Sequence, residues 1–203
     1  RVGGFPGGSV GLFVGTGAGT LMPPLFYGLT TDTSSDVAVA DLNVDGRADV
    51  ATASSGNSSF VLLGTPTGLT PAPTVSHGAG SSPTCVALGD LDADSRPDLV
   101  VGFGADFLGV RVRLGDGAGG FGTATPTPLS PASRALALGD VDADGDLDVA
   151  VAAEAEVNVL LGDGTGFLAP AFSAPMGPYV IDVLLADLNA DGYADIATAN
   201  DDA

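Results

Sequence analysis

The stretch that decides the fold is Val37-Ala38-Val39-Ala40-Asp41-Leu42-Asn43-Val44-Asp45-Gly46-Arg47-Ala48-Asp49-Val50-Ala51. Its first four residues alternate large and small side chains, the period of two that a strand shows. The nine that follow place oxygen-bearing side chains at positions 1, 3, 5 and 9, with glycine at position 6 to permit a sharp turn. Val50-Ala51 then resumes the apolar pattern, so the stretch reads as strand, acidic loop, strand.

Working outward, the same nine-residue pattern returns at Asp90 to Asp98, Asp140 to Asp148 and Asp187 to Asp195, the starts lying 49, 50 and 47 residues apart. A second landmark keeps step with it: Phe13-Val14-Gly15, Leu62-Leu63-Gly64, Arg113-Leu114-Gly115 and Leu160-Leu161-Gly162. Two markers locked in phase establish an internal repeat. Val86-Ala87-Leu88-Gly89 and Leu136-Ala137-Leu138-Gly139 repeat the alternating approach to the loop. A fourth segment in each unit carries prolines (Pro23 and Pro24, Pro71 and Pro73, Pro126 and Pro128, Pro170 and Pro175), and proline cannot donate to a ladder, so this is an edge strand.

Four short antiparallel strands per unit of about 50 residues predict an all-β, β-propeller-type array of four-stranded antiparallel blades. The calcium loops are expected between the first and second strands. The expected division is a half blade over 1–30, blades over 31–80, 81–132 and 133–178, and a half blade over 179–203. Half-blades at both ends favour an open or partial array, completed by a neighbouring chain or a missing segment, over a self-closed ring.

Oxygen ligands at positions 1, 3 and 5 of a tight loop converge on one point, which is calcium chemistry. The expected side-chain ligands are Asp41, Asn43, Asp45 and Asp49; Asp90, Asp92, Asp94 and Asp98; Asp140, Asp142, Asp144 and Asp148; and Asp187, Asn189, Asp191 and Asp195. Position 7 (Arg47, Arg96, Asp146, Tyr193) would add its backbone carbonyl, giving about four calcium ions in all. An EF-hand is excluded, because its position 12 requires Glu whereas Thr52, Val101, Val151 and Thr198 stand there inside strands. In the second loop Ser95 replaces the glycine, so that loop is expected to be the most altered.

These residues resemble the FG-GAP/VCBS repeat family, whose members include the integrin α-subunit propeller, lectins and bacterial surface proteins. The likeness rests on Val37 to Asp49 with its three copies and on Val159-Leu-Leu-Gly-Asp-Gly-Thr-Gly-Phe167. It implies calcium binding by the loop that joins the first two strands of a blade. The family usually closes seven blades, whereas four loops are present here.

Composition narrows the function. The chain has 203 residues and a net charge of −19, which disfavours nucleic acid and anionic membranes as partners. Asp outnumbers Glu 23 to 2 and Lys is absent, a balance suited to turns and cation sites rather than helices. No apolar run approaches a membrane span, and Arg1-Val2-Gly3-Gly4 carries no signal-peptide pattern. Calcium loops favour a secreted, extracellular or cell-surface location, where the ion is abundant.

Catalysis is not expected. No nucleophile elbow or phosphate-binding loop is present, and Gly115 to Gly120 reads as a turn between outer strands. His77, in a Ser-His-Gly linker, is expected at the surface, Cys85 as a small packed residue, and Glu154 and Glu156 as solvated on one strand. Adhesion or surface and filament assembly, with copies of itself or a surface protein or glycan as partner, is the expected role. The alternatives are a lectin-like propeller, with Tyr27, Tyr179, Phe107 and Phe167 as stacking surfaces, and a propeller fragment accessory to a secreted enzyme. Asn57-Ser-Ser59 is a formal glycosylation sequon.

Overall fold

A computed structural model describes residues 8–29, 33–104, 109–177 and 179–201. Arg1 to Gly4 and Phe107 lie outside the described residues. Strands β1 (Ser9–Leu12) and β2 (Leu25–Gly28) form an antiparallel pair. The next unit contains β3 (Ser34–Ala40), β4 (Asp49–Ser54), β5 (Ser58–Ser59), β6 (Val61–Thr65), β7 (Gly68–Pro71) and β8 (Val75–Ser76). A four-stranded antiparallel sheet follows, built from β9 (Pro83–Gly89), β10 (Asp98–Phe103), β11 (Gly109–Arg113) and β12 (Thr125–Thr127). Another comprises β13 (Ser133–Gly139), β14 (Asp148–Ala153), β15 (Glu156–Gly162) and β16 (Leu168–Pro175). Last come the paired strands β17 (Val180–Ala186) and β18 (Asp195–Asn200).

The architecture is therefore all-β, in propeller-like blades. No helix of the described residues is long and apolar enough to cross a membrane. Proline-bearing β12 and β16 are edge strands, as their missing N–H groups require. One unit departs from four continuous strands: β4 pairs with both β5 and β6, while β7 and β8 share the outer position. Asn57 turns the chain there with φ of 72°, and Phe60 interrupts the third strand, its carbonyl accepting from the Thr52 N–H while its own N–H donates to the Thr52 hydroxyl oxygen.

Three apolar clusters lie between successive units. In the first, Ala51, Ala53 and Val61 of one blade meet Val86, Leu99, Val101 and Phe103 of the next. Strands β4, β10 and β14 are buried along their whole length, because each is flanked by strands on both edges and blades on both faces. Burying each Val or Leu contributes about 1.5–3 kcal/mol. Small residues let the blades approach closely: a Cβ on Gly89 would sit 2.7 Å from Leu138 Cδ1 of the following blade. Cys85 is buried in this packing, as expected of a small apolar residue, and burial first of all raises its thiol to about 12.

Two expectations are overturned. His77 is buried, not at the surface: its Nε2 lies 2.9 Å from Ser59 Oγ and its ring meets Phe103 edge-on at 5.3 Å. Asn57 holds the segment in place, its carbonyl accepting from the His77 N–H and its side chain from the Ser81 N–H. Glu154 and Glu156 do not share a strand, since Glu154 sits in the hairpin turn with φ of 42°. Glu156 is half-buried and accepts hydrogen bonds from Asn158 and Ser173.

Candidate metal centres

The four acidic loops join β3 to β4, β9 to β10, β13 to β14 and β17 to β18, and are numbered here 1 to 4 in that order. Each is wound by its own carboxylates. In loop 1, Asp41 accepts from the N–H groups of Asp45 and Gly46, and Asp45 from that of Arg47. Loops 2 and 4 repeat all three bonds through Asp90 with Asp94 and through Asp187 with Asp191. Turning this tightly requires positive φ at position 6, met by Gly46, Gly145 and Gly192.

Ser95 adopts the same conformation, with φ of 70°, and loop 2 keeps the hydrogen-bond pattern of its neighbours. The expected distortion is thus absorbed as backbone strain rather than as a reshaped turn. Position 4 is left-handed too, at Val44, Ala93, Ala143 and Ala190, a feature no glycine announces in the sequence.

The structure brings positions 1, 3 and 9 together. Carboxylate oxygens of Asp90, Asp92 and Asp98 lie within 4.8 Å of one another, as do those of Asp140, Asp142 and Asp148. In loops 1 and 4 position 3 is an amide, Asn43 or Asn189, whose oxygen accepts from the N–H of Asp45 or Asp191. In two loops the position-7 side chain reaches position 5. Arg47 pairs with Asp45 at 3.3 Å, and Arg96 pairs with Asp94. In loop 3 position 7 is Asp146, raised by desolvation and then by the Asp144 and Asp163 carboxylates. Tyr193 of loop 4 is exposed.

Position 9 is the buried anchor. Asp49, Asp98 and Asp148 are each fully buried. One oxygen accepts from the N–H of position 2, and the other from that of the landmark glycine at or just beyond the end of the third strand: Gly64, Gly115 and Gly162, at 2.6, 2.8 and 2.9 Å. The second sequence landmark is thereby explained, since this glycine lies over the loop and a Cβ there would come 2.3 Å from the position-8 carbonyl oxygen. Asp195 makes the position-2 bond, to Leu188, and is half-buried.

The electrostatics suit a cation. Burial pushes Asp98 and Asp148 above the ordinary carboxylate range, and burial followed by the Asp94 charge does the same to Asp92. Asp187, by contrast, is held down, chiefly by the Gly192 N–H. Oδ1 of Asp92 and Oδ1 of Asp140 are buried without a hydrogen-bond partner. Unpartnered, buried, all-oxygen acceptors in a ring of carboxylates fit a hard divalent ion. Two carboxylates 4.8 Å apart repel by about 1 kcal/mol in water and about 3 kcal/mol at a protein's effective dielectric constant, a cost a cation removes.

Three of the expected stacking residues, Tyr27, Tyr179 and Phe167, lie among the described residues. The Tyr27 hydroxyl accepts from the Leu69 N–H, Arg134 lies 5.6 Å from the Tyr179 ring centre, and Phe167 stands exposed. None of the three lines the cavity of about 630 Å³ between Leu12, Met22, Arg47 and Pro66.

Solved structures share the fold. A protein of unknown function from Bacteroides caccae matches with a TM-score of 0.53 and 13% identity, over 85% of this chain and 56% of that one. BBS1N, from a complex with ARL6DN, matches with a TM-score of 0.60 and 14% identity, over 87% and 52%. The chain thus spans little more than half the length of either structure. The comparison with curated proteins returns no match. The FG-GAP-like repeat model matches residues 41–101 and 140–198, more than half of the sequence and all four acidic loops, and the chain belongs to the FG-GAP-like repeat family.

Proposed function

We propose that this chain is a calcium-binding repeat scaffold of the extracellular space that serves adhesion or surface assembly and carries no catalysis of its own. The observation that supports it most is the meeting of positions 1, 3 and 9 within 4.8 Å in loops 2 and 3, with a buried unpartnered oxygen in each. Calcium supplies positive charge to these oxygens and holds the loop ends together. Asp90, Asp92 and Asp98, and Asp140, Asp142 and Asp148, would hold it in those loops, with Asp41, Asn43, Asp45 and Asp49, and Asp187, Asn189, Asp191 and Asp195, serving the other two. Free calcium near millimolar outside cells matches loops of this exposed kind.

The rigid blades then present surface to a protein or glycan partner, or to further copies of the chain. Calorimetric titration of chelator-stripped protein tests the metal reading: saturable calcium binding supports it, and no heat at millimolar calcium sinks it. Light scattering in calcium and after chelation tests the assembly reading. Particles far above 19.8 kDa that dissolve on chelation support assembly, and a 19.8 kDa species under both conditions argues for a partner of another kind.

A further inference from the structure

The acidic loops do more than close their own blades. The Gly119 N–H, in the hairpin between β11 and β12, donates to the Leu42 carbonyl of loop 1, in the preceding blade, at 3.2 Å. One repeat later the Gly166 N–H, between β15 and β16, donates to the Leu91 carbonyl of loop 2 at 3.0 Å. Leu42 and Leu91 are each 2% exposed, whereas Leu188, at the same position of loop 4, is 65% exposed and accepts no such bond among the described residues. The hairpins themselves are fitted to this seat. Gly119 and Gly166 have φ of 85° and 79°, and a Cβ on either would strike Leu63 or Leu114 of the preceding blade.

The same residue therefore faces two ways. Leu91 gives its N–H to Asp98, the buried carboxylate of its own loop, and its carbonyl to Gly166 of the next blade. Asp98 in turn accepts from Gly115, which opens the hairpin that Gly119 docks on loop 1.

We propose that each acidic loop is the socket for the outer hairpin of the following blade, so that a cation in one loop stabilises the contact with the next blade. The inference rests on the calcium reading above. Its physical basis is that a cation fixes the position-9 carboxylate and with it the position-2 residue, whose carbonyl the hairpin takes, while without the ion that residue is held less firmly; both ligand and hairpin thus favour one state of a shared element.

Amide exchange measured by NMR separates the outcomes, with the amides of Gly46, Ser95, Gly145 and Gly192 reporting occupancy of the four loops. Calcium should slow exchange at Gly119 and Gly166 by about tenfold. Asp41→Asn should abolish that response at Gly119 and spare Gly166, and Asp90→Asn should do the reverse. Reciprocity requires Gly119→Ala to weaken calcium at the Gly46 reporter by about fivefold or more while the Ser95 reporter is unmoved. An unchanged Gly119 response in Asp41→Asn, or an unchanged Gly46 affinity in Gly119→Ala, overturns the coupling alone. If the four reporters never shift with calcium, both the coupling and the metal reading fall.

Discussion

The carboxylate of Asp98 holds the backbone N–H of Gly115 at 2.8 Å, tying the end of an acidic loop to the start of the hairpin that follows β11, with the Asp98 side chain fully buried. The other oxygen holds Leu91 at 2.8 Å, so no hydrogen-bonding capacity facing the backbone is spare. Asp98→Asn turns one acceptor into a donor opposite an N–H. It should cost about 2–3 kcal/mol in chelator, by leaving a buried donor unsatisfied, and more in calcium. Chemical denaturation with and without calcium measures both. A loss below about 0.5 kcal/mol in chelator would show that the carboxylate is not a structural latch.

Removing metal should destabilise the whole array. At free calcium ten times the dissociation constant each occupied loop adds about 1.4 kcal/mol, or about 5–6 kcal/mol for four independent loops. Scanning calorimetry with calcium and with a chelator should show a large fall in the melting temperature. Superimposable melts would remove the ion from the account of stability.

Ser95 occupies a left-handed conformation that its three counterparts meet with glycine. Ser95→Gly should therefore stabilise the protein by roughly 0.5–1 kcal/mol and sharpen calcium binding at loop 2, because strain is relieved with the hydrogen bonds kept. Unfolding curves in calcium decide it, and a loss of stability would mean that the serine side chain contributes something the backbone does not show.

His77 provides a pH test that does not involve the loops. Burial, and then the charges of Arg113 and Arg111, lower it from 6.5 to about 4. Between those values the unfolded chain takes up a proton that the native ring refuses. Stability is thus fully present above about pH 6.5 and drains away as the pH falls toward 4, by roughly 2–3 kcal/mol. His77→Gln should flatten that slope in urea titrations run in chelator. An unchanged slope would assign the acid sensitivity to the carboxylates instead.

The blades and their loops were legible because each is written in contiguous residues. Val37 to Ala51 contains a strand period, a turn and a ligand pattern, and its repetition identifies the rest. The Gly64, Gly115 and Gly162 landmark was equally visible, though not its reason, which is a carboxylate at the start of the second strand. The burial of His77 was hidden because Ser-His-Gly has local turn chemistry, while Ser59, Phe103 and Asn57, which enclose it, come from other strands and turns. The split of β5 from β6 was hidden for a similar reason, since Val61 and Leu62 read as one apolar run and only the turn at Asn57 displaces Ser58 and Ser59.

By itself the sequence determined the strand order, the acidic loops and the calcium-type donor set, all of which follow from side-chain periodicity and oxygen spacing along a short stretch. Only the tertiary structure decided that position 9 is a buried latch and that Gly119 and Gly166 dock on the preceding blade. Those outcomes depend on how strands pair within a blade and on where a twisted sheet sets one blade against the next, relations between residues distant in the chain that no local pattern encodes.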